Sequence, residues 1–131
     1  MLVEDLFFGG IFGLIVELCF TAVGDLIRKK DLALVGHTSL WMFPVYAFGL
    51  SYGFDFILYI IPDNATRYLT YPLWIWAVEL CIGIPAVSRG IRIWDYHYLP
   101  KWLHWRGIIS FAHYPLWVGF GILVEIIKGN T

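Results

Sequence analysis

Glu17 and Glu79 each stand near the middle of a long apolar run, where charged side chains of several types carry an insertion penalty of about 2.5 to 3.5 kcal/mol. An ionisable group is kept at such a depth only where it faces protein or water, so both glutamates are candidates for binding a proton or a cationic group. Two carboxylates facing each other in low dielectric cannot both ionise cheaply, and one is expected to be protonated or paired with a cation. Such a buried pair suits proton-coupled transport or intramembrane acid catalysis. The plainer alternative is a pair of neutral acids that hydrogen-bond neighbouring helices and act as packing glue.

The neighbours of these acids recur at helical spacing. Gly9, Gly13, Glu17, Thr21 and Asp25 follow one another every four residues, which draws one small and polar stripe down an otherwise apolar helix. Pro72, Trp76, Glu79, Gly83 and Ala86 share a face of the third run, where small residues permit close helix approach. Pro85 is expected to bend that helix. His113, Trp117, Gly121 and Glu125 align on the last run, so Thr21 and His113 join Glu17 and Glu79 as candidate substrate or proton ligands. Glu125 and Asp55 are placed at the outer end.

A second cluster lies in the connection before the last run, where Trp94, Asp95 and Tyr96 stand between Arg92 and Arg106. Trp and Tyr favour the headgroup level, and Lys and Arg there meet anionic lipid, so an interfacial lid around a cytoplasmic mouth is expected. His37, His97 and His104 fall at or near the same boundary. No metal site and no cofactor is expected, because no second histidine at helical spacing supports haem ligation by His113 and Met42.

The elements that must position these residues are membrane spans. The chain has 131 residues, 60% hydrophobic and 15% charged, with a mean hydropathy of +0.71, more apolar surface than a soluble core can hide. Apolar runs cover Leu6 to Ile27, Leu40 to Ile61, Leu69 to Val87 and Ile108 to Ile127, each of a length suited to about 30 Å of hydrocarbon. The predicted fold is an all-α integral membrane protein, a four-transmembrane-helix bundle forming a single domain over residues 1–131. Seven of the nine basic residues flank two connections, 28–38 and 88–107, which the positive-inside rule assigns to the cytoplasm with both termini outside. A cleavable signal peptide is not expected, since Glu4 and Asp5 replace the usual basic start. Asn64-Ala65-Thr66 is a glycosylation sequon on the outer side. A net charge of −1 argues against a nucleic-acid partner, and Cys19 and Cys81, inside apolar runs, are expected to be small buried hydrophobes.

The chain also repeats. Val16-Glu17-Leu18-Cys19 recurs 62 residues later as Val78-Glu79-Leu80-Cys81, and Gly36, Ser39, Phe43, Pro44, Val45 and Tyr46 align with Gly107, Ser110, Tyr114, Pro115, Leu116 and Trp117 at a spacing of 71. The second connection is therefore nine residues longer, with the extra residues around Trp94-Asp95-Tyr96. Halves of about 6–61 and 69–127 are expected to form a 2+2 parallel repeat with the two glutamates as symmetry mates.

On these motifs the chain resembles the transmembrane protein 229 family and the bacterial CmpB-like ABC-transporter permease family. The matching features are Glu17 with Phe20-Thr21-Ala22, Thr38-Ser39-Leu40-Trp41 with Tyr46, Trp74 to Glu79, Trp94-Asp95-Tyr96, Gly107-Ile108 and Glu125. Bacterial relatives often show Gly-Arg-Ile where this chain has Arg106-Gly107-Ile108. The resemblance implies a four-span helical membrane protein and carries the permease label with it. No Gly-rich Lys-Ser/Thr loop occurs, so the chain is not expected to hydrolyse ATP.

Three functions fit. The first is a small permease-like transport module using Glu17 and Glu79. The second is an accessory or scaffold subunit of a larger membrane complex, and the third an intramembrane acid-catalysing enzyme acting on a lipid or isoprenoid. The expected partners are the lipid bilayer and, because four spans enclose little volume, a homodimer or larger membrane complex.

Overall fold

A computed structural model describes residues 3–129 of the chain. They are mostly helical, in four helices. The first, α1, covers Val3–Lys29; α2 covers Met42–Ile60; α3 covers Asn64–Ser88; and α4 covers Tyr114–Ile127. The first three, of 27, 19 and 25 residues, are long and apolar enough to cross a membrane. Their exposed surface carries Phe7, Phe8, Ile15, Val23, Phe56, Leu69 and Leu73, an apolar coat of a size that water does not suit; Cys19 and Cys81, expected to be buried, are exposed on α1 and α3 as part of it.

Local chemistry sets each end. Glu4 and Asp5 stand in the first turn of α1 and Arg28 and Lys29 in its last, complementing the helix dipole at both ends. In α3, Asp63 caps the start, accepting from the Thr66 amide at 2.8 Å and the Thr66 hydroxyl at 2.6 Å. Those two bonds, the hydroxyl's first, hold the Asp63 carboxyl below the usual carboxylate range. The α3 C-terminus closes as a Schellman motif, with left-handed Gly90 (φ +76°) and amide bonds from Ile91 to the Ala86 carbonyl and from Gly90 to the Val87 carbonyl. The helix runs through both Pro72 and Pro85.

The last apolar run is not one helix. Ile109–Ser110 forms a short strand, β2, antiparallel to β1 at His104–Trp105, with His104 opposite Ser110 and Trp105 opposite Ile109. Helix α4 begins only at Tyr114, with a proline in its first turn. Residues 109 and 110 are held out of the helix by their pairing with His104–Trp105, and Pro115 fits just after the start because a proline's missing amide costs nothing in a first turn. Helix α4 has 14 residues and spans about 21 Å at 1.5 Å per residue, less than a hydrocarbon layer of about 30 Å. The expectation of a purely α fold with a fourth full-length span over Ile108 to Ile127 is corrected accordingly. Likewise the second helix opens at Met42 rather than Leu40, again with a proline, Pro44, in its first turn.

The chain divides into two compact units, one ending at Tyr52 and one beginning at Gly53. The division falls inside a π-helical stretch of α2, Gly49–Gly53.

In the first unit the stripe expected on α1 faces protein. A Cβ at Gly9 would lie 2.8 Å from Ser51 Oγ, at Gly10 2.6 Å from the Phe43 ring, and at Gly13 2.1 Å from Tyr46 Cγ. Hydrogen lets the start of α2 lie directly on α1. The connection before α2 folds back on α1 as well. A Cβ at Gly36 would stand 2.0 Å from the Leu18 carbonyl oxygen, while Thr21 Oγ1 accepts from the His37 amide at 2.8 Å and lies 3.1 Å from its carbonyl.

Alanine at Gly13 or Gly36 therefore has no room, and each substitution is expected to lower stability by about 1 to 3 kcal/mol. Alanine at Gly49 or Gly119, where nothing lies within 4 Å, should instead raise it by up to about 1 kcal/mol through helix propensity. Thermal unfolding in detergent of the four variants checks this; equal effects at all four sites would contradict the packing.

Candidate functional site

Each candidate glutamate is held by a tyrosine. Tyr46, seated on Gly13, donates its hydroxyl to Glu17 Oε2 at 2.8 Å. The glycine is one turn before the acid, so the ring that fills the missing Cβ's place delivers its hydroxyl to the next turn of the same stripe. Glu17 and Thr21 thus sit on one face but take different partners, and Thr21 ties down the connection at His37.

In the second unit Tyr96 donates to Glu79 Oε1 at 2.7 Å. The connection that carries Tyr96 is built as a rigid hairpin. Trp94 Nε1 donates to the Ile108 carbonyl at 2.9 Å, Tyr96 N to the Gly107 carbonyl at 3.0 Å, and Gly107 N to His104 Nδ1 at 3.0 Å. Arg106 (φ +52°) and Gly107 (φ +68°) make the left-handed turn, and a Cβ on Gly107 would strike His97 Nδ1 and Asp95 Oδ1 at 2.3 and 2.6 Å. Gly83 admits this hairpin to α3, since a Cβ there would lie 2.6 Å from Ile108 and 3.2 Å from Trp94. Trp76 Nε1 reaches the Ser110 carbonyl at 3.2 Å. The α3 face expected from spacing is therefore the surface on which the hairpin packs. His113 joins the group, its ring 5.4 Å from that of Tyr96 and 5.9 Å from that of Trp117. Three residues singled out in sequence, Glu79, Tyr96 and His113, come together here.

Glu17 and Glu79 are only half-buried. The fully buried acid is Glu125, expected merely at the outer end of the last run. It is 2% exposed and pairs with Arg67, 3% exposed, through both guanidinium Nε and Nη2, the latter at 3.0 Å. Tyr71, with no exposure, also donates to Glu125. The remaining Arg67 donors go to the Ile61 and Pro62 carbonyls at 2.9 and 3.1 Å and to Asn64 Oδ1 at 2.7 Å. This arginine closes the C-terminus of α2, opens α3 and ties both to α4. Gly121 makes the contact with α4 possible, because its Cβ would lie 2.3 Å from the Tyr71 ring. Asp55, the other outer-end candidate, pairs with Lys128.

Sequence reasoning missed Arg67 and Tyr71. The available signal was charge balance: Glu125 lies in an apolar run and needs a cation, and Arg67 is the basic residue of the 62–68 connection, on the same expected side.

Asp95 and the residues near it form a surface cluster. Asp95 accepts from the His97 amide at 3.0 Å and pairs with the His97 imidazole and, at 3.6 Å, with Arg92. Partial burial pushes its carboxyl upward, but the bonds from His97 and the charges of His97 and Arg92 outweigh it and hold the group below its ordinary range. A depressed folded value means that the stabilisation is complete above the unfolded value near 3.9 and is lost as pH falls through the folded one. Among the described residues no cluster of three or more His, Cys, Asp or Glu is placed to hold a metal ion.

No family model matches the chain, and no solved structure matches it.

The Arg67–Glu125 pair makes a double-mutant prediction. Arg67→Leu or Glu125→Leu alone leaves a desolvated charge without its partner and should cost about 3 to 5 kcal/mol, whereas Arg67→Leu with Glu125→Leu should recover much of that loss. Unfolding in mild detergent measures it; additive losses would show that the two residues act independently. A second prediction concerns Asn64, whose side chain is engaged by Arg67 in the first turn of α3. Expressed in a eukaryotic secretory pathway, the chain should show no glycosidase-sensitive mobility shift.

Proposed function

We propose that the chain is a small multi-pass membrane protein working as a permease-like transport module, in which Glu17 and Glu79 exchange a proton or bind a cationic group. One observation carries this reading: each glutamate receives a tyrosine hydroxyl, and the two hydroxyls arrive by different routes. Tyr46 comes from the first turns of α2. Its counterpart at the spacing of 71 is Trp117, which has no hydroxyl, and the second donor is Tyr96, from the nine residues by which the second connection is longer. Burial of an acid asks only for some donor; that the donor at both acids is a hydroxyl favours a function that uses the acids.

The chemistry agrees. A hydroxyl orients a carboxyl group without cancelling its charge and can itself pass a proton, whereas an arginine fixes the charge permanently. Glu125, sealed against Arg67, is thereby the structural acid, and half-buried Glu17 and Glu79 are the working ones. The 2+2 repeat is part of the proposal. It is supported by the starts of the second and fourth helices, Met42 and Tyr114, which fall within one residue of the spacing of 71 between the aligned motifs. So are the resemblance to the permease family and the orientation with both termini outside, which rests on the basic residues of the first and third connections and requires the 14-residue α4 to cross as a short fourth segment in a locally thinned layer.

The test is proton movement into liposomes carrying the full chain, driven by a potassium diffusion potential and read with an internal pH dye. Glu17→Gln and Glu79→Gln should each slow it by about tenfold or more, in the range assigned to a positioned acid or base, with Tyr46→Phe and Tyr96→Phe having smaller effects. Absence of flux in the unaltered protein, or equal flux in the glutamine variants, overturns the proposal and leaves an accessory subunit with packing acids.

A further inference from the structure

The two basic connections differ in how their charges are spent. In the first, Arg28 and Lys29 both pair with Asp25, at 3.3 and 3.4 Å, and Asp31 follows Lys30. In the second, residues 89–106 hold Arg89, Arg92, Lys101 and Arg106 against the single acid Asp95. Asp95 is already occupied by Arg92 and His97. Arg89, Lys101 and Arg106 are exposed and form no ion pair among the described residues.

Aromatic rings stand among these free cations. Trp102 is 77% exposed, Tyr98 47% and Trp105 40%, and the Arg106 guanidinium lies 4.9 Å from the Trp105 ring. Arg92 Nη1 donates to the Arg106 carbonyl at 3.3 Å, so the turn that presents Arg106 is fixed before any partner arrives. This surface begins where α3, one of the helices apolar enough to span a membrane, ends at Ser88. Rings with an apolar body and polar tip, set beside unneutralised cations at the end of an apolar helix, match the headgroup layer of a bilayer.

We infer that the Arg89–Arg106 hairpin is a docking surface for anionic phospholipid headgroups, with Arg89, Lys101 and Arg106 binding the phosphates while Trp102 and Trp105 lie at the boundary between the headgroups and the acyl chains. The inference rests on the membrane reading but not on the role of Glu17 and Glu79. A soluble acidic protein fits less well, because the exposed rings would then stand in water when it is absent. Each cation at an anionic surface contributes on the order of a fivefold gain in association, so a preference among lipids is the observable.

The experiment uses the full chain reconstituted in phosphatidylcholine with trace spin-labelled lipid. Electron paramagnetic resonance gives the association of spin-labelled phosphatidylglycerol relative to phosphatidylcholine at the protein surface. The unaltered chain should prefer phosphatidylglycerol by about threefold or more, less at high salt as screening shortens the reach of exposed charges. Arg89→Gln, Lys101→Gln and Arg106→Gln together should bring the ratio close to one, while Arg28→Gln with Lys29→Gln should leave most of it. A ratio near one in the unaltered chain, with motionally restricted lipid showing that the protein is inserted, overturns the inference. So do equal losses in the two sets, or abolition by inorganic phosphate at matched ionic strength, which would assign the cations to a soluble anion. Absence of any restricted lipid overturns the membrane reading itself, and is told apart from the other results by that absence.

Discussion

An acid set in an apolar helix has to be given a donor, and this molecule is arranged around meeting that demand three times. Glu17, Glu79 and Glu125 lie on three different helices, and each has a tyrosine on it, Tyr46, Tyr96 and Tyr71. Bringing a bulky ring that close to a helix requires space, and glycine supplies it. Gly13 seats Tyr46, Gly121 seats Tyr71, and Gly83 admits the hairpin that carries Tyr96. The glycines and the acids are thus one device: the first removes the side chain that would hold the partner off, and the second rewards the approach with a hydrogen bond.

The same demand accounts for the irregular backbone. Residues 30–41 and 91–113 fold back along α1 and α3 rather than leaving the helix ends directly, and non-helical backbone next to an apolar helix survives only if its own polar groups are satisfied. They are satisfied here by side chains chosen for it. Thr21 accepts from the His37 amide, Trp94 and Trp76 donate to the Ile108 and Ser110 carbonyls, and His104 accepts from Gly107. A threonine or tryptophan on a helix face that looks like a ligand in sequence is, in these cases, the partner of a neighbouring main chain.

Much of this was legible before the fold was known, and the parts that were not have a common cause. Spacing of four placed Gly9, Gly13, Glu17 and Thr21 on one face, and that face is indeed packed, because periodicity reports which residues share a side of a helix. Hydropathy found the three long helices to within a few residues. It failed at Ile108 to Ile127, since an apolar run records burial and says nothing of conformation; Pro115 and Pro44 sit in first turns, but Pro72 and Pro85 lie inside α3, so proline does not by itself mark a helix start here. Arg67 was passed over because a basic residue near a turn reads as solvated. Only the pairing of distant segments, 58 residues apart, turns it into the buried partner of Glu125.

The three acids also divide by what their partners permit. An arginine with every donor engaged, as Arg67 is by Glu125, Asn64 and two carbonyls, locks the carboxylate and three chain segments into one arrangement, and changing its charge state would cost all of those bonds together. A tyrosine hydroxyl imposes no such penalty, because it can donate to a carboxylate or accept from a carboxylic acid by turning its own proton. The rigid acid therefore belongs to the end of the molecule that must hold its shape. In the proposed transport module the two adaptable ones are those at which a proton or a cation comes and goes, and the hairpin that delivers Tyr96 to Glu79 is also the segment on which Arg89, Lys101 and Arg106 are exposed.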